Sequence, residues 1–266
     1  MLNRNITRTI LDSTETTKST NSITSDALAF VIGAVNTFYI GYQYKFAARY
    51  FHMGTANTNT VTVSISQWDG TSWVAVDDLV DQTNGFKNSG FMSWQNQDEW
   101  VAKNISPMDS DIELFWIKLT VSGSLSAGTT LQAVLNLFCD DGILRAYYPE
   151  IISDTRYLPS SRTDFLEQYQ AAKDLVVLRL KQRKLIQNEG QIIDINDVAV
   201  AATHAAAWLI LSPIAGNDAV KAMADAALEK FNNELSSLVL GIDQDKDGIV
   251  TEDERSLTST TFVYRR

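Results

Sequence analysis

The sequence predicts an α+β multidomain chain: an N-terminal antiparallel β-sandwich of jelly-roll-like form, then an α-helical bundle that ends in an EF-hand-like loop and an extended arm. Two observations carry this. Apolar residues alternate with period two from Ala27 to Cys139, then recur at three- and four-residue steps from Phe165 to Leu238. With 266 residues, two domains each have room for a core. A hydrophobic content of 45% with 20% charged residues is that of a folded chain. The predicted organisation is a flexible arm over 1–25, the sandwich over 26–141, the bundle over 142–242, and a calcium-type loop with a C-terminal arm over 243–266.

The charge balance narrows the function classes. Net charge is −10, and the acid is spread along the chain: residues 1–142 hold 8 basic and 14 acidic side chains, and the remainder holds 14 and 18. General nucleic-acid binding is disfavoured, because neutralising phosphates needs a basic surface or at least a basic stripe. Cys139 is the single cysteine, so no intrachain disulfide can form and the fold must rest on packing. The opening residues MLNRNITRTILDSTETTKST lack the apolar stretch of a signal peptide, and no run of about 18 apolar residues follows. The expectation is a soluble protein made in a cytoplasm, with no membrane partner.

Taken in order, residues 1–25 are mostly Ser, Thr and Asn and cannot bury enough surface to offset their ordering entropy alone. Tyr42, Tyr44, Phe46, Ala48 and Tyr50 then alternate with polar or small residues and predict one strand, and Val61, Val63 and Ile65 predict another. Asp69-Gly70 between Ser66–Trp68 and Trp73–Val76 predicts a hairpin. Further strands are expected at Phe91–Trp94, Trp100–Asn104, Leu114–Val121 and Thr130–Cys139. Five of the six tryptophans lie in this region; they fill a core, pair across strands, or form a sugar platform on the sandwich. Asp140-Asp141-Gly142 closes the last strand and leads into a linker.

In the bundle, Ser161 with Asp164 predicts a capping box for a helix from Thr163 to Ile186, with Gly190 as its stop. Asp194 and Asp197 signal a second helix, VAVAATHAAAWLIL, and Asn217 a third that runs to Gly241. Short connections imply antiparallel packing. The first helix ends in a basic run, Arg179, Lys181, Arg183 and Lys184. Positive charge there complements the helix dipole, and the same run is the candidate for a lumen- or DNA-facing surface.

Two motifs lie beyond the bundle. Asp243, Asp245, Asp247, Ile249, Thr251 and Glu254 occupy the ligand positions of a calcium loop, with Gly248 at the turn. Ca²⁺ is hard and takes six to eight oxygens, so carboxylates at this spacing suit a structural Ca²⁺. The final residues Phe262, Val263, Tyr264, Arg265 and Arg266 alternate as a strand suited to adding to a neighbour's sheet. No enzyme is expected: His52 and His204 lie in different predicted domains, and no glycine-rich phosphate loop is present.

The run YYPEIISDTRYLPSSRTDFLEQYQAAKDLVVLRLKQRKLI, followed by DINDVAVAATHAAAWLIL and the third helix, resembles the head-to-tail connector (adaptor) proteins of tailed bacteriophages. The likeness lies in helix order, helix length and the terminal arm. It implies a structural virion protein of the neck, assembled in the host cytoplasm as a ring homo-oligomer, a dodecamer, beneath the portal protein and docking tail or nozzle proteins, with DNA passing through its lumen. On this chain the third helix and the Phe262–Arg266 arm become intersubunit or portal contacts, and Arg179–Lys184 approach the lumen. The alternative expectation is a secreted carbohydrate-binding β-sandwich with a dockerin-like calcium module.

Overall fold

The computed structural model describes residues 7–11, 14–16, 30–32, 37–105, 113–159, 162–216, 218–238 and 240–241. They fall into two compact units that divide between Asn136 and Leu137. The first is built from two antiparallel sheets and the second from helices, an α+β chain.

Eleven strands make the first unit: β1 (Thr7–Leu11), β2 (Thr14–Thr16), β3 (Phe30–Val31), β4 (Thr37–Tyr42), β5 (Ala48–Thr55), β6 (Val63–Trp68), β7 (Trp73–Ala75), β8 (Asp77–Asp81), β9 (Gly90–Gln95), β10 (Phe115–Val121) and β11 (Thr130–Leu135). The six-stranded sheet runs β2-β1-β4-β10-β6-β7 and the five-stranded sheet β3-β11-β5-β9-β8. Alternate residues of each sheet turn into one shared core. Phe38, Ile40, Ile65, Ile117 and Leu119 come from the first sheet, and Phe51, Met92 and Leu131 from the second. β6 shows the alternating burial of a strand with one face in a sandwich core, whereas β5 and β9 are buried on both faces over most of their length.

Several expectations are corrected here. The run Tyr42–Tyr50 is two strands, because Gln43–Ala47 leaves β4 and carries the chain to the other sheet as β5. Tyr42 still meets Tyr44 and Phe46 edge-to-face at this corner. Trp100–Asn104 is not a strand; its one ladder contact is the bridge Lys103 to Leu114. The indole of Trp100 fixes it instead, donating to the carbonyl oxygen of Trp116 at 3.1 Å. The last strand stops at Leu135. Within the predicted flexible arm, β1 pairs antiparallel with β4, with Thr9 opposite Ile40. An open sheet edge gives the backbone groups of such a polar segment their hydrogen bonds. The Asp69-Gly70 hairpin forms as predicted, with Trp68 opposite Trp73. Gly70 takes φ +102 and the Asp69 carboxylate accepts from the amides of Thr71 and Ser72 at 2.7 and 2.6 Å.

The outer face of the six-stranded sheet carries a second, smaller core. Trp116 is fully buried there against Tyr39, Trp73, Leu114 and Ile105. Its ring lies across the backbone of Gly41, where any Cβ would stand 2.6 Å from the indole. Gly41 is therefore the residue that admits Trp116.

The second unit holds α1 (Asp141–Tyr147), α2 (Pro149–Ser153), α3 (Leu166–Gln182), α4 (Asn196–Leu211) and α5 (Asp218–Ser237). Asp140 does not close a strand; its carboxylate caps α1, accepting from the Ile143 amide at 2.9 Å. The segment read as a linker is thus helical. α4 is the central helix, packing on α1, α3 and α5. Its buried side chains include Ala199, Ala201, Ala202, Ala205, Ala206 and Ala207, and that small surface lets its neighbours approach closely. With the turn that follows, Asn196–Ile214 has a mean hydropathy of 1.4, apolar enough to cross a membrane by length and composition, and 61% of that stretch is buried inside the protein. After α5 the chain returns to the start of α4, where the Gly241 amide donates to Asp197 at 2.9 Å.

Candidate functional site

The basic run lies at the C-terminal end of α3, and the backbone there explains why the helix is shorter than expected. α3 spans Leu166–Gln182, not Thr163–Ile186, and stops eight residues before Gly190. Lys184 adopts φ +60, the left-handed conformation, and its amide donates to the Lys181 carbonyl at 3.0 Å. The Leu185 amide reaches back to the Leu180 carbonyl, also at 3.0 Å. These two bonds make a Schellman motif, with lysine where glycine is usual. Leu180 is fully buried and Leu185 half-buried, as the apolar contact of that motif requires. At the other end Ser161 lies outside the described residues, and Asp164 accepts from the Leu166 amide at 3.1 Å.

The four cations of the run have different surroundings. The Arg183 guanidinium donates to the carbonyl oxygen of Leu235 in the last turn of α5. The carbonyls at a helix end lack intrahelical donors and carry the negative end of the helix dipole, so a cation is well placed there. Arg179 contacts Gln182 at 3.4 Å. Lys181 and Lys184 are exposed. Between the ends of α3 and α5 lies an open groove lined by Arg179, Gln182, Arg183, Asn232, Leu235 and Ser236. The three residues from α5 carry no signal in the sequence, because they reach the basic run only through the packing of both helices on α4.

A buried ion pair sits further back on α3. Lys173 Nζ stands 3.0 Å from Glu189 Oε2 and 3.1 Å from Asp174 Oδ1, with Lys173 and Glu189 both buried. Glu189 belongs to the short 3₁₀ turn Glu189–Gln191, so this pair ties the segment after α3 back onto the helix.

The polar residues within the helical unit are structural in their geometry. His204 is buried on α4, its Nδ1 2.8 Å from the Tyr148 hydroxyl, with the Tyr147 and Tyr148 rings both edge-on to the imidazole. Burial, then the nearby Lys230 charge, holds His204 below its ordinary range, while Glu234 opposes the shift. Burial, aided by Glu150, pushes the Tyr148 hydroxyl up to about 12. Burial also raises the Cys139 thiol, with Asp140 and Asp141 adding to the effect, so the sulfur stays protonated and inert. The Tyr169 hydroxyl donates to Asp141.

On the sandwich, Trp94, Trp100 and Trp116 are core residues. Trp68 and Trp73 are half-buried on the outer face. Their rings meet edge-to-face at 5.6 Å, Tyr39 tilts against Trp73 at 5.3 Å, and Lys103 Nζ sits 3.2 Å above Trp68. These rings spend much of their faces on one another.

The calcium-loop positions Asp243, Asp245, Asp247, Ile249, Thr251 and Glu254 lie outside the described residues, as does the arm Phe262, Val263, Tyr264, Arg265 and Arg266. Among the described residues no group of three or more His, Cys, Asp or Glu side chains is arranged to hold a metal ion. Compared with protein-family models, with curated proteins and with solved structures, the chain gives no match.

Proposed function

We propose that this chain is a non-enzymatic assembly protein, a head-to-tail connector of a virus particle whose helical unit builds a ring with itself. The observation that supports this reading is the layer α3-α4-α5. A central alanine-rich helix is enclosed by two longer ones, and the side of each flanking helix turned away from it is exposed, with charged residues such as Arg179, Lys181, Asp225 and Glu229 among small or apolar ones. A unit with its core satisfied internally and two long faces open is suited to repetition around an axis. Under this reading the ring, a dodecamer, sits beneath a portal protein in the neck of the virion, after assembly in the host cytoplasm. It docks tail or nozzle proteins and lets DNA pass through its lumen.

The sandwich would decorate this ring. Its jelly-roll-like character is supported by the way β4, β5 and β6 alternate between the two sheets, as do β9, β10 and β11. The loop from Asp243 to Glu254 is read as EF-hand-like and as a structural Ca²⁺ clip, and Phe262–Arg266 as an arm that reaches the portal or an adjacent copy. Calorimetry tests the clip: binding heat at millimolar Ca²⁺ that is lost in Asp243→Ala supports it, and no heat removes it. Co-sedimentation with a portal ring tests the role, and a chain that never enters the portal fraction would refute it.

The second reading is a carbohydrate-binding sandwich with a dockerin-like module. The half-buried Tyr39, Trp68 and Trp73 favour it, because aromatic faces stack on sugars. The packing of Trp73 against both Trp68 and Tyr39 and the cover of Lys103 over Trp68 leave it the weaker of the two.

A further inference from the structure

We infer that the end of α3 receives the outer face of α5 from a second copy of this chain, through a contact in which each copy uses two different surfaces. This rests on the reading of the helical unit as self-assembling, and it names the residues that would do the work.

On α3 the buried stripe Tyr169, Ala172, Val176 and Leu180 leaves Leu178 on the opposite side of the helix, 51% exposed. Arg179 and Lys181 flank Leu178 and are both exposed. On α5 the buried stripe Ala224, Ala227, Phe231 and Leu235 leaves Ala222, Asp225, Ala226 and Glu229 exposed on the other side. One surface is an apolar knob with a cation on either side. The other presents two exposed alanines with two carboxylates beside them.

Each surface carries a like-charge pair, eased on α5 by Lys221 one turn before Asp225. Asp225 and Glu229 are like charges four residues apart on one helix, and Arg179 and Arg183 repeat that spacing with the opposite sign. Arg183 is relieved by the Leu235 carbonyl. Among the described residues, Arg179, Lys181, Asp225 and Glu229 form no ion pair. Bringing the two surfaces together pairs both sets of charges and covers the exposed Leu178. Because α3 and α5 are different surfaces, the contact is heterologous and repeats from copy to copy until a ring closes. A nucleic-acid phosphate would satisfy the cations as well. The chain itself, however, supplies a complementary acidic face, and its net charge of −10 opposes a polyanion.

The test uses the full chain and four variants: R179E/K181E, D225K/E229K, the quadruple combination, and L178D. All five positions are exposed, and thermal melting checks that each variant folds as the wild type does. Sedimentation velocity and electron microscopy then read assembly. The wild type is expected to form closed oligomers, and each charge-reversed pair and L178D to weaken assembly by about tenfold or more. The quadruple variant is expected to recover, as is an equal mixture of the two charge-reversed pairs, which can build a ring only by strict alternation. A wild type that assembles while all variants assemble equally well overturns the inference and leaves the connector reading standing. Loss of assembly without recovery in the quadruple variant also overturns it. Binding of duplex DNA that R179E/K181E abolishes, with assembly unchanged, overturns it in favour of a nucleic-acid surface. A wild type that stays monomeric at high concentration overturns both readings.

Discussion

The Arg183 guanidinium, at the end of α3, donates to the backbone carbonyl of Leu235 in the last turn of α5. The two residues are 52 positions apart, and the contact closes the helical layer at the end where the basic run lies. Replacing Arg183 by Ala removes a charge-assisted bond to a carbonyl of the last helical turn. We expect a loss of about 1 kcal/mol in urea unfolding, the lower end of the range because the site is partly exposed, with Arg183→Lys intermediate. Equal midpoints for wild type and Arg183→Ala would contradict the cap.

Lys184 should respond in the opposite direction. Its left-handed backbone at φ +60 costs a side-chain-bearing residue about 1 kcal/mol relative to glycine. Lys184→Gly is therefore expected to raise the thermal midpoint, even though glycine adds freedom to the unfolded chain. A lowered midpoint would mean that the lysine side chain makes a contact worth more than the strain.

The buried pair Lys173–Glu189 makes an asymmetric prediction. Lys173→Met leaves a buried carboxylate without its cation and should cost about 3 kcal/mol or more. Lys173→Met with Glu189→Leu removes both charges and should recover most of that loss. Additive losses across this double-mutant cycle would show that the pair is not coupled.

For His204 the sign follows from its lowered pKa. The folded chain resists a proton that the unfolded chain accepts below about pH 6.5, the ordinary value for histidine. Stability is thus fully present above that value and falls as pH drops toward the folded-state value. The groups facing it are Tyr148, Lys230 and Glu234. Burial raises Asp140 and gives a slope of opposite sign at lower pH, so the comparison must be between wild type and His204→Gln over the same range. The wild type should lose stability between about pH 7 and pH 5.5 more steeply than the variant. Parallel curves would remove His204 as the cause.

Local signals carried much of the fold. The Asp69-Gly70 turn, with Trp68 and Trp73 as a cross-strand pair, needed only neighbouring residues, and the alanine run of α4 announced a closely packed helix. What stayed hidden was set by distant partners. β8, the acidic stretch DDLVD, is absent from the predicted strands and forms because β9 offers an edge, with Val80 opposite Ser93. Gln43–Ala47 alternates like a strand in sequence but forms a corner, where Phe46 is buried against Tyr42, Trp94 and Trp100. At the candidate site the cluster of cations was visible. Its division into a helix cap at Arg183, a strained C-terminal residue at Lys184 and two exposed charges at Arg179 and Lys181 was not, since that depends on where α5 ends.

The central claim is that the helical unit assembles with itself. Electron microscopy of the purified full-length chain tests it most directly. The account predicts class averages of closed rings with a central opening wide enough for duplex DNA. Particles no larger than a single 29.6 kDa chain, at every concentration tried and with portal protein present, would contradict it.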